Sequence, residues 1–289
     1  MPDFPIINTH VHLYDTDRLH YGWLRDVPPI NHRHLVDDFD AATDPMKPQA
    51  FVFVEVAADA GQHLAEAAFA QGIADTEPRL GAIIAHAPVQ NGASVTTDLE
   101  ALLAHNRLRG IRRLIQGEVD PSICLEPGFI EGVRRLAHYN LTFELCVKHW
   151  AMPYAIELVK KCPDVTFILD HIGKPDIRHG LRQPWWSQMS EMARLPNVIC
   201  KISGAIGEAD PELWTADQVK PFVAHAIECF GFGRSMYGSD WPVSALTHQY
   251  GQWVELVDAV VAGATKTEKH QLYCATAQRI YRLEPNHNA

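Results

Sequence analysis

Histidine is over-supplied in this chain: 16 residues stand against 25 Lys and Arg together, and several fall where short apolar runs end. An imidazole near neutral pH can ligate a metal, move a proton or hold a substrate oxygen. The run Ile7-Asn8-Thr9-His10-Val11-His12 carries two of them. On an extended chain side chains alternate, so His10 and His12 share a side and form a chelating or substrate-gripping pair. A second run closes on Tyr237-Gly238-Ser239-Asp240-Trp241-Pro242. Asp240 there suits a metal ligand or a base that takes a proton from water; the plainer alternative is an Asx turn at a strand exit. A third ends Leu169-Asp170-His171-Ile172-Gly173-Lys174-Pro175, where a histidine beside a glycine turn can reach towards the first pair.

Other residues at run ends are candidates for binding. In Cys146-Val147-Lys148-His149-Trp150, neighbours face opposite ways, so either Lys148 or His149 is expected in a pocket. Gly110-Ile111-Arg112-Arg113-Leu114-Ile115-Gln116 puts Arg112 and Gln116 on one face. An arginine within an apolar run needs a carboxylate or an anionic substrate beside it. Glu55 and His86 close two further runs. Trp23, with Tyr14, Tyr21 and Arg25, lies in an unusually long first connection, Leu13 to about Ala50, which reads as a wall beside a pocket.

The elements that must position these groups are short β-rich runs, each followed by a stretch with helical spacing. Eight such runs are expected: Phe4 to Asn8, Phe51 to Glu55, Leu80 to Ala85, Gly110 to Ile115, Thr142 to Val147, Val165 to Asp170, Val198 to Ile202 and Ser235 to Tyr237. The pattern predicts helices at Gly61 to Ala74, Thr96 to His105, Gly128 to His138, Tyr154 to Lys161, Trp185 to Arg194, Gln218 to Cys229, Tyr250 to Ala262 and about Lys266 to Tyr281. It places none in the first connection. Eight strand-helix units predict a single-domain (β/α)8 barrel spanning residues 1–289, with an open doubly wound sheet as the alternative. In a barrel the reacting groups stand at the strands' C-terminal ends, and closure sets the eighth strand beside the first. Asp240 is therefore expected next to His10 and His12.

Composition narrows the function. With Lys+Arg 25 and Asp+Glu 35 the net charge is −10, and no basic cluster exceeds a pair, so nucleic-acid and anionic-membrane binding are disfavoured. A small molecule is the expected partner. No run suggests a membrane span and no signal peptide is expected. Six cysteines lie far apart without Cys-x-x-Cys, against a disulfide framework or thiolate zinc site and consistent with a cytoplasmic protein. The Trp185-Trp186 pair suits either core packing or a subunit contact. Serine-hydrolase elbow, P-loop, dinucleotide and His-Glu-x-x-His motifs are absent from the sequence.

Taken together, "INTHVHLYD", "YGWL", "GIRRLIQ", "LDHIGKP", "CKISG" and "GSDWP" resemble the amidohydrolase superfamily. The likeness is to its amidohydrolase-2 branch of sugar-acid lactonases and 2-pyrone-4,6-dicarboxylate lactonase, and it extends over about residues 5–282. The resemblance implies a barrel that hydrolyses a lactone, with His10, His12, His171 and Asp240 at active-site positions and Arg112 as a substrate-binding arginine. Dinuclear superfamily members carry a carboxylated lysine on the fourth strand; this chain offers arginines there. The ligand types left, His10, His12, His171 and Asp240, suit one divalent ion such as Zn²⁺, while some lactonases of the branch work without metal. A superfamily decarboxylase and a non-catalytic binding barrel are the competing functions.

Overall fold

The computed structural model describes residues 5–283. Eight parallel strands run in sequence order around one sheet: β1 Ile7–Val11, β2 Ala50–Val54, β3 Leu80–His86, β4 Leu108–Arg112, β5 Thr142–Leu145, β6 Phe167–Leu169, β7 Val198–Ile202 and β8 Ser235–Tyr237. The sheet closes just beyond β8. A parallel bridge joins Val11 to Trp241, the His12 amide donates to the Trp241 carbonyl at 2.8 Å, and the Asp240 amide donates to the His10 carbonyl at 3.0 Å. Helices fill the connections: α1 Val36–Thr43, α2 His63–Ala74, α3 Val95–Leu102, α4 Pro127–His138, α5 Met152–Lys161, α6 Trp185–Ala193, α7 Ala216–Phe230 and α8 Tyr250–Val260. This is a single-domain (β/α)8 barrel.

Two apolar layers follow from the alternation of side chains. Outward-facing residues such as Phe51, Phe53, Phe143 and Phe167 pack against the helices. Ile7, Val52, Ala82, Ile84, Ile168, Ile199 and Met236 fill the lower barrel interior, joined by Tyr281 and Leu283. Those last two come from the C-terminal stretch, in which α9 Lys266–His270 and α10 Thr276–Tyr281 are joined by a π-helical turn, Gln271–Ala275. The turn packs against β8, and Leu283 lies against Gly81 at the start of β3. The C-terminal stretch thereby closes the barrel's N-terminal end.

The structure departs from the sequence expectation in several places: β4 starts two residues earlier and ends at Arg112, β5 ends at Leu145, and β6 is confined to Phe167–Leu169. β1 lies three residues later than expected, and Phe4 falls outside the described residues. The polar Asn8, Thr9 and His10, which argue against strand interior, are buried because Asn8 Nδ2 donates to Ser239 Oγ and Thr9 Oγ1 donates to the Tyr237 carbonyl, both at 2.7 Å. The first connection does hold a helix, α1, preceded by 3₁₀ turns at Gly22–Asp26 and Pro28–Ile30. The expected last helix is broken by the π turn. Trp185 is a core residue, and Trp186 stacks on His225 at 3.8 Å between ring centroids. All six cysteines are free, and no described helix is long and apolar enough to cross a membrane.

Close packing of α4 on the turn Val89–Ser94 fixes the connection that follows β3. A methyl group on Gly132 would stand 1.9 Å from the Val89 carbonyl oxygen, and backbone cannot yield there as a flexible side chain would. Gly132→Ala should cost about 1–3 kcal/mol. Scanning calorimetry should show a melting temperature several degrees lower, with kcat of the folded enzyme unchanged.

Candidate active site

Three imidazoles converge on one carboxylate oxygen. Oδ1 of Asp240 lies 3.3 Å from Nε2 of His12, 3.6 Å from Nε2 of His10 and 3.9 Å from Nε2 of His171. Each ring is oriented by what meets its other nitrogen. Nδ1 of His12 stands 2.9 Å from the Val54 carbonyl. A carbonyl only accepts, so Nδ1 carries a proton and Nε2 is the nitrogen turned towards Asp240. Nδ1 of His171 meets Ser203 Oγ at 3.0 Å. His10 is bracketed by two permanent donors, Lys201 Nζ at 3.3 Å from Nδ1 and Arg112 Nη1 at 3.3 Å from Nε2.

The backbone holding these groups is strained. Asp240, His171, Ile172 and Lys174 all have left-handed φ, between 46° and 68°, a conformation that costs of order 1–3 kcal/mol per non-glycine residue. Trp185 braces the segment from below, its indole N–H donating to the Ile172 carbonyl at 2.8 Å. Gly204 makes room beside it: at φ +62° a Cβ would fall 2.6 Å from Nδ1 of His171.

Above the cluster opens a cavity of about 450 Å³. His12, Arg112, Cys146, His171, Lys174 and Asp240 line it from the barrel; Trp23, Asp59, Gln116 and Val243 line it from the loops. Trp23 is fixed there by its indole N–H, which donates to the Val56 carbonyl at 2.8 Å. His10, fully buried, lies beneath the lining.

Below the cluster the barrel interior is ionic. Arg112 donates to Glu55 Oε1 at 2.6 Å and to its carbonyl at 2.5 Å, and its Nη1 lies 3.6 Å from Asp170 Oδ2. Lys201 Nζ lies 2.5 Å from Glu144 Oε2 and 3.4 Å from Asp170 Oδ1. Tyr281 donates to the other oxygen of Glu144 at 2.6 Å. All of these side chains are buried.

Burial disfavours charge throughout the site, and the neighbours decide where charge survives. Burial, reinforced by the Lys201 ammonium, holds His10 well below its ordinary value. Burial also lowers His171 to about 4. For Asp240, burial acts upward but His171, His12 and His10 outweigh it and hold the carboxyl well below the usual range. Burial likewise works against Asp170, and Lys201 and His10 more than reverse it. At neutral pH the centre is a carboxylate beside the neutral imidazoles of His10 and His171.

The structure thus brings together His10, His12, His171, Asp240 and Arg112, with Trp23 and Gln116 on the cavity above. Neither Lys148 nor His149 lines that cavity, a correction to the expectation that one of them would. The chain leaves β5 at Leu145 and turns into a 3₁₀ helix at His149–Ala151, so Cys146 takes the inward position. Lys148 Nζ instead lies 3.6 Å from Glu208, and His149 Nδ1 meets the Lys174 carbonyl at 3.2 Å. His86 is also absent from the lining, and Glu55 serves as partner to Arg112. The sequence reading passed over Lys201, Glu144 and Asp170, though Lys201 in Val198–Ile202 offered the same signal as Arg112: a cation in an otherwise apolar strand.

The donor set fits one divalent ion. His10, His12 and Asp240 can each offer a ligand atom, all within 4.8 Å of one another, and His12 turns Nε2 towards the carboxylate. The parallel group His10, Asp170 and His171 does not fit, because the fixed cations of Lys201 and Arg112 already face Asp170.

A barrel with paired histidines at the first strand end and an aspartate at the eighth has the form of an enzyme site. The chain belongs to the amidohydrolase family, whose model matches residues 7–283. It is similar to an L-fucono-1,5-lactonase from Burkholderia multivorans, 27% identical over 288 residues and 96% of each chain. It is also similar to an L-fucono-1,5-lactonase from Burkholderia ambifaria, 32% identical over 156 residues, 54% of this chain and 53% of that one. Among solved structures, an amidohydrolase from Burkholderia multivorans with bound zinc superposes with a TM-score of 0.86 at 26% identity, covering 97% of this chain and 100% of that one.

Two outcomes follow from the geometry. Gly204→Ala should displace His171 and lower kcat on the order of tenfold or more, since small misplacements of reacting groups are costly; steady-state kinetics with a folded variant checks it. The buried His171 refuses a proton that the unfolded chain accepts between the ordinary value of 6.5 and about 4. The unfolded state therefore binds more protons in that window, and the stability due to this group is complete above about pH 6.5 and lost as pH falls towards 4. His171→Asn should flatten the fall in melting temperature over that range.

Proposed function

We propose that this enzyme hydrolyses the ring ester of a neutral sugar-acid lactone of the fucono-, rhamnono- or galactono-lactone kind. The observation that carries this reading is the sorting of donors and acceptors around Asp240. His12 Nε2 and Asp240 Oδ1 lie 3.3 Å apart at the foot of the cavity, where both can meet one attacking water. Arg112 Nη1, 3.3 Å from His10 Nε2, brings a fixed positive charge and N–H donors to the other side, which suits a carbonyl oxygen gathering negative charge.

In this mechanism Asp240 takes a proton from water as its oxygen bonds to the lactone carbonyl carbon. Arg112, which lines the cavity, stabilises the oxyanion. Collapse of the tetrahedral species breaks the carbon bond to the ring oxygen, and the departing alkoxide takes the proton that Asp240 removed from water, giving the open hydroxy acid and restoring the carboxylate. His171, 3.9 Å from Asp240, keeps that carboxylate oriented. Lactonase-named relatives support the ester-opening chemistry. A divalent ion held by His10, His12 and Asp240, with His171 beside them, would act as a Lewis acid on the carbonyl or on water when bound.

The charge balance favours a neutral substrate. Among lining residues Arg112 and Lys174 are balanced by Asp59 and Asp240. Arg112 is further committed to Glu55, and Lys174 Nζ lies 3.6 Å from Glu208. A pyrone bearing two carboxylates would find no uncommitted cation among the described lining residues. Trp23 offers an apolar face, and Asp59 and Gln116 offer hydroxyl partners.

Asp240→Asn should lower kcat on the order of 10² or more, the usual scale of general-base catalysis. A pH-indicator screen should show turnover of sugar-acid lactones and none of 2-pyrone-4,6-dicarboxylate. Run on chelator-stripped enzyme with and without Zn²⁺, it also determines whether the donor set works alone. Turnover of the dicarboxylate, or CO₂ release without ester hydrolysis, would overturn the assignment.

A further inference from the structure

We propose that Lys174 is a catalytic residue for the second half of the reaction: its ammonium donates a hydrogen bond to the ring oxygen as that oxygen leaves the carbonyl carbon. The inference rests on the lactonase reading and supplies a protein partner for the leaving group.

Lys174 lines the cavity just beyond the end of β6, with its side chain 16% exposed. Among the described residues its one ion-pair partner is Glu208, whose Oε1 stands 3.6 Å from Nζ. The other oxygen of Glu208 stands 3.6 Å from Nζ of Lys148. One carboxylate is thus shared between two ammonium groups, each beyond ordinary hydrogen-bond length. The charge of Lys174 is balanced while its N–H donors stay available to the cavity, a combination suited to a substrate that is neutral until it reacts. The residue is also held in place. Its amide donates to the His171 carbonyl at 2.9 Å, and its carbonyl accepts from the His149 amide at 3.3 Å and faces His149 Nδ1 at 3.2 Å.

The order of strands around the mouth points the leaving oxygen towards this ammonium. Asp240 follows β8 beside β1, Arg112 ends β4 on the opposite wall, and Lys174 follows β6 between them. Water arriving from Asp240 and His12 leaves the carbonyl oxygen turned across the barrel towards Arg112. The ring oxygen, bonded to the same carbon, then lies either towards β2 or towards β6. The wall beyond β2 is Val56, Ala57, Ala58 and Asp59, which holds no cation and carries a carboxylate. The wall beyond β6 holds Lys174, and a departing alkoxide is favoured on that side alone.

In an intact ester the ring oxygen shares its lone pair with the carbonyl and is a weak acceptor. As the tetrahedral species collapses, the bond from carbon to ring oxygen breaks, its electron pair stays on that oxygen and the carbonyl re-forms. The hydrogen bond from Nζ strengthens as this charge grows. The ammonium keeps its own proton, and the oxygen takes the one held by Asp240, so both side chains return to their starting states. An interaction made only while the bond breaks raises kcat and leaves KM unchanged.

The test compares L-fucono-, L-rhamnono- and D-galactono-1,5-lactone with their counterparts that carry sulfur in place of the ring oxygen. A thiolate leaves as a much weaker base and draws little on a hydrogen-bond donor. Lys174→Met, which keeps the reach of the side chain, should lower kcat for the oxygen lactones on the order of 10²-fold, the scale of losing one donor to developing charge, with KM within about threefold. The sulfur lactones should lose less than about fivefold. Lys174→Gly is the second variant. Glycine adopts the φ of 46° found here without steric cost, so it keeps the backbone where methionine upsets it, and the same oxygen-specific loss is expected.

Equal losses on oxygen and sulfur lactones would overturn the proposal, as would a raised KM with kcat intact, because either result marks Lys174 as a residue that only holds the bound ring. Both leave the lactonase reading standing, since the parent turns the lactones over. A parent that opens none of these rings, oxygen or sulfur, removes the lactonase reading and the role of Lys174 with it.

Discussion

Charge buried inside the barrel must be paired in place, and most of the site's geometry descends from that requirement. Below the reacting groups, where a layer of aliphatic side chains commonly fills such barrels, this chain places Glu55, Arg112, Glu144, Asp170 and Lys201. An unpaired charge there would cost several kcal/mol, whereas a complete set approximately breaks even against hydrophobic packing. The ionic layer therefore adds little net stability. What it supplies is direction: Arg112 is fixed by Glu55 through two hydrogen bonds, Lys201 is fixed by Glu144, and His10 has one place to sit between them. The aliphatic layer beneath, from Ile7 to Met236, provides the dry floor that keeps these pairings strong.

Closure of the barrel and assembly of the site are a single event. β8 stops at Tyr237, and the hydrogen bonds that tie its end to β1 are made by Asp240, Trp241, His10 and His12. Asp240 reaches its place by adopting left-handed backbone, as His171 and Lys174 do across the mouth. Those conformations persist because rigid partners over-determine them. Trp185 holds the His171 segment from the helix layer, and Trp253 donates its indole N–H to the Gly238 carbonyl at 2.8 Å just before Asp240. The two largest fully buried side chains thus each brace one half of the centre.

The candidate site residues were legible in the sequence because barrel topology gives strand ends a meaning. His10, His12, His171 and Asp240 each follow an apolar run, and the closure rule predicts the meeting of residues more than two hundred positions apart. Strand limits were less legible. Asn8, Thr9 and His10 look like an exit from β1, yet their side chains are satisfied by partners on the far side of the chain. Local pattern also fails at Lys148 and His149, because alternation holds only while the strand lasts and β5 ends at Leu145. Lys201 and Glu144 are hidden for a different reason. Alternating charge along a strand ordinarily marks a solvated face, and only the register of β4, β5, β6 and β7 turns both residues inward to meet.

The same pairing requirement bears on what enters the cavity. A cation free to grip an anionic substrate must have no standing carboxylate partner, since competition with a buried pair forfeits most of the Coulomb gain. Arg112 and Lys174 both have standing partners, and Asp59 adds negative charge at the loop side. The cavity therefore selects by hydrogen bonding and shape, with the Trp23 ring as its apolar wall. The proposed polyhydroxylated ring meets those terms, since its hydroxyls can exchange water for Asp59 and Gln116 and its carbonyl can face Arg112. In the proposed reaction negative charge appears only as the ester opens, beside the guanidinium that Glu55 holds in place.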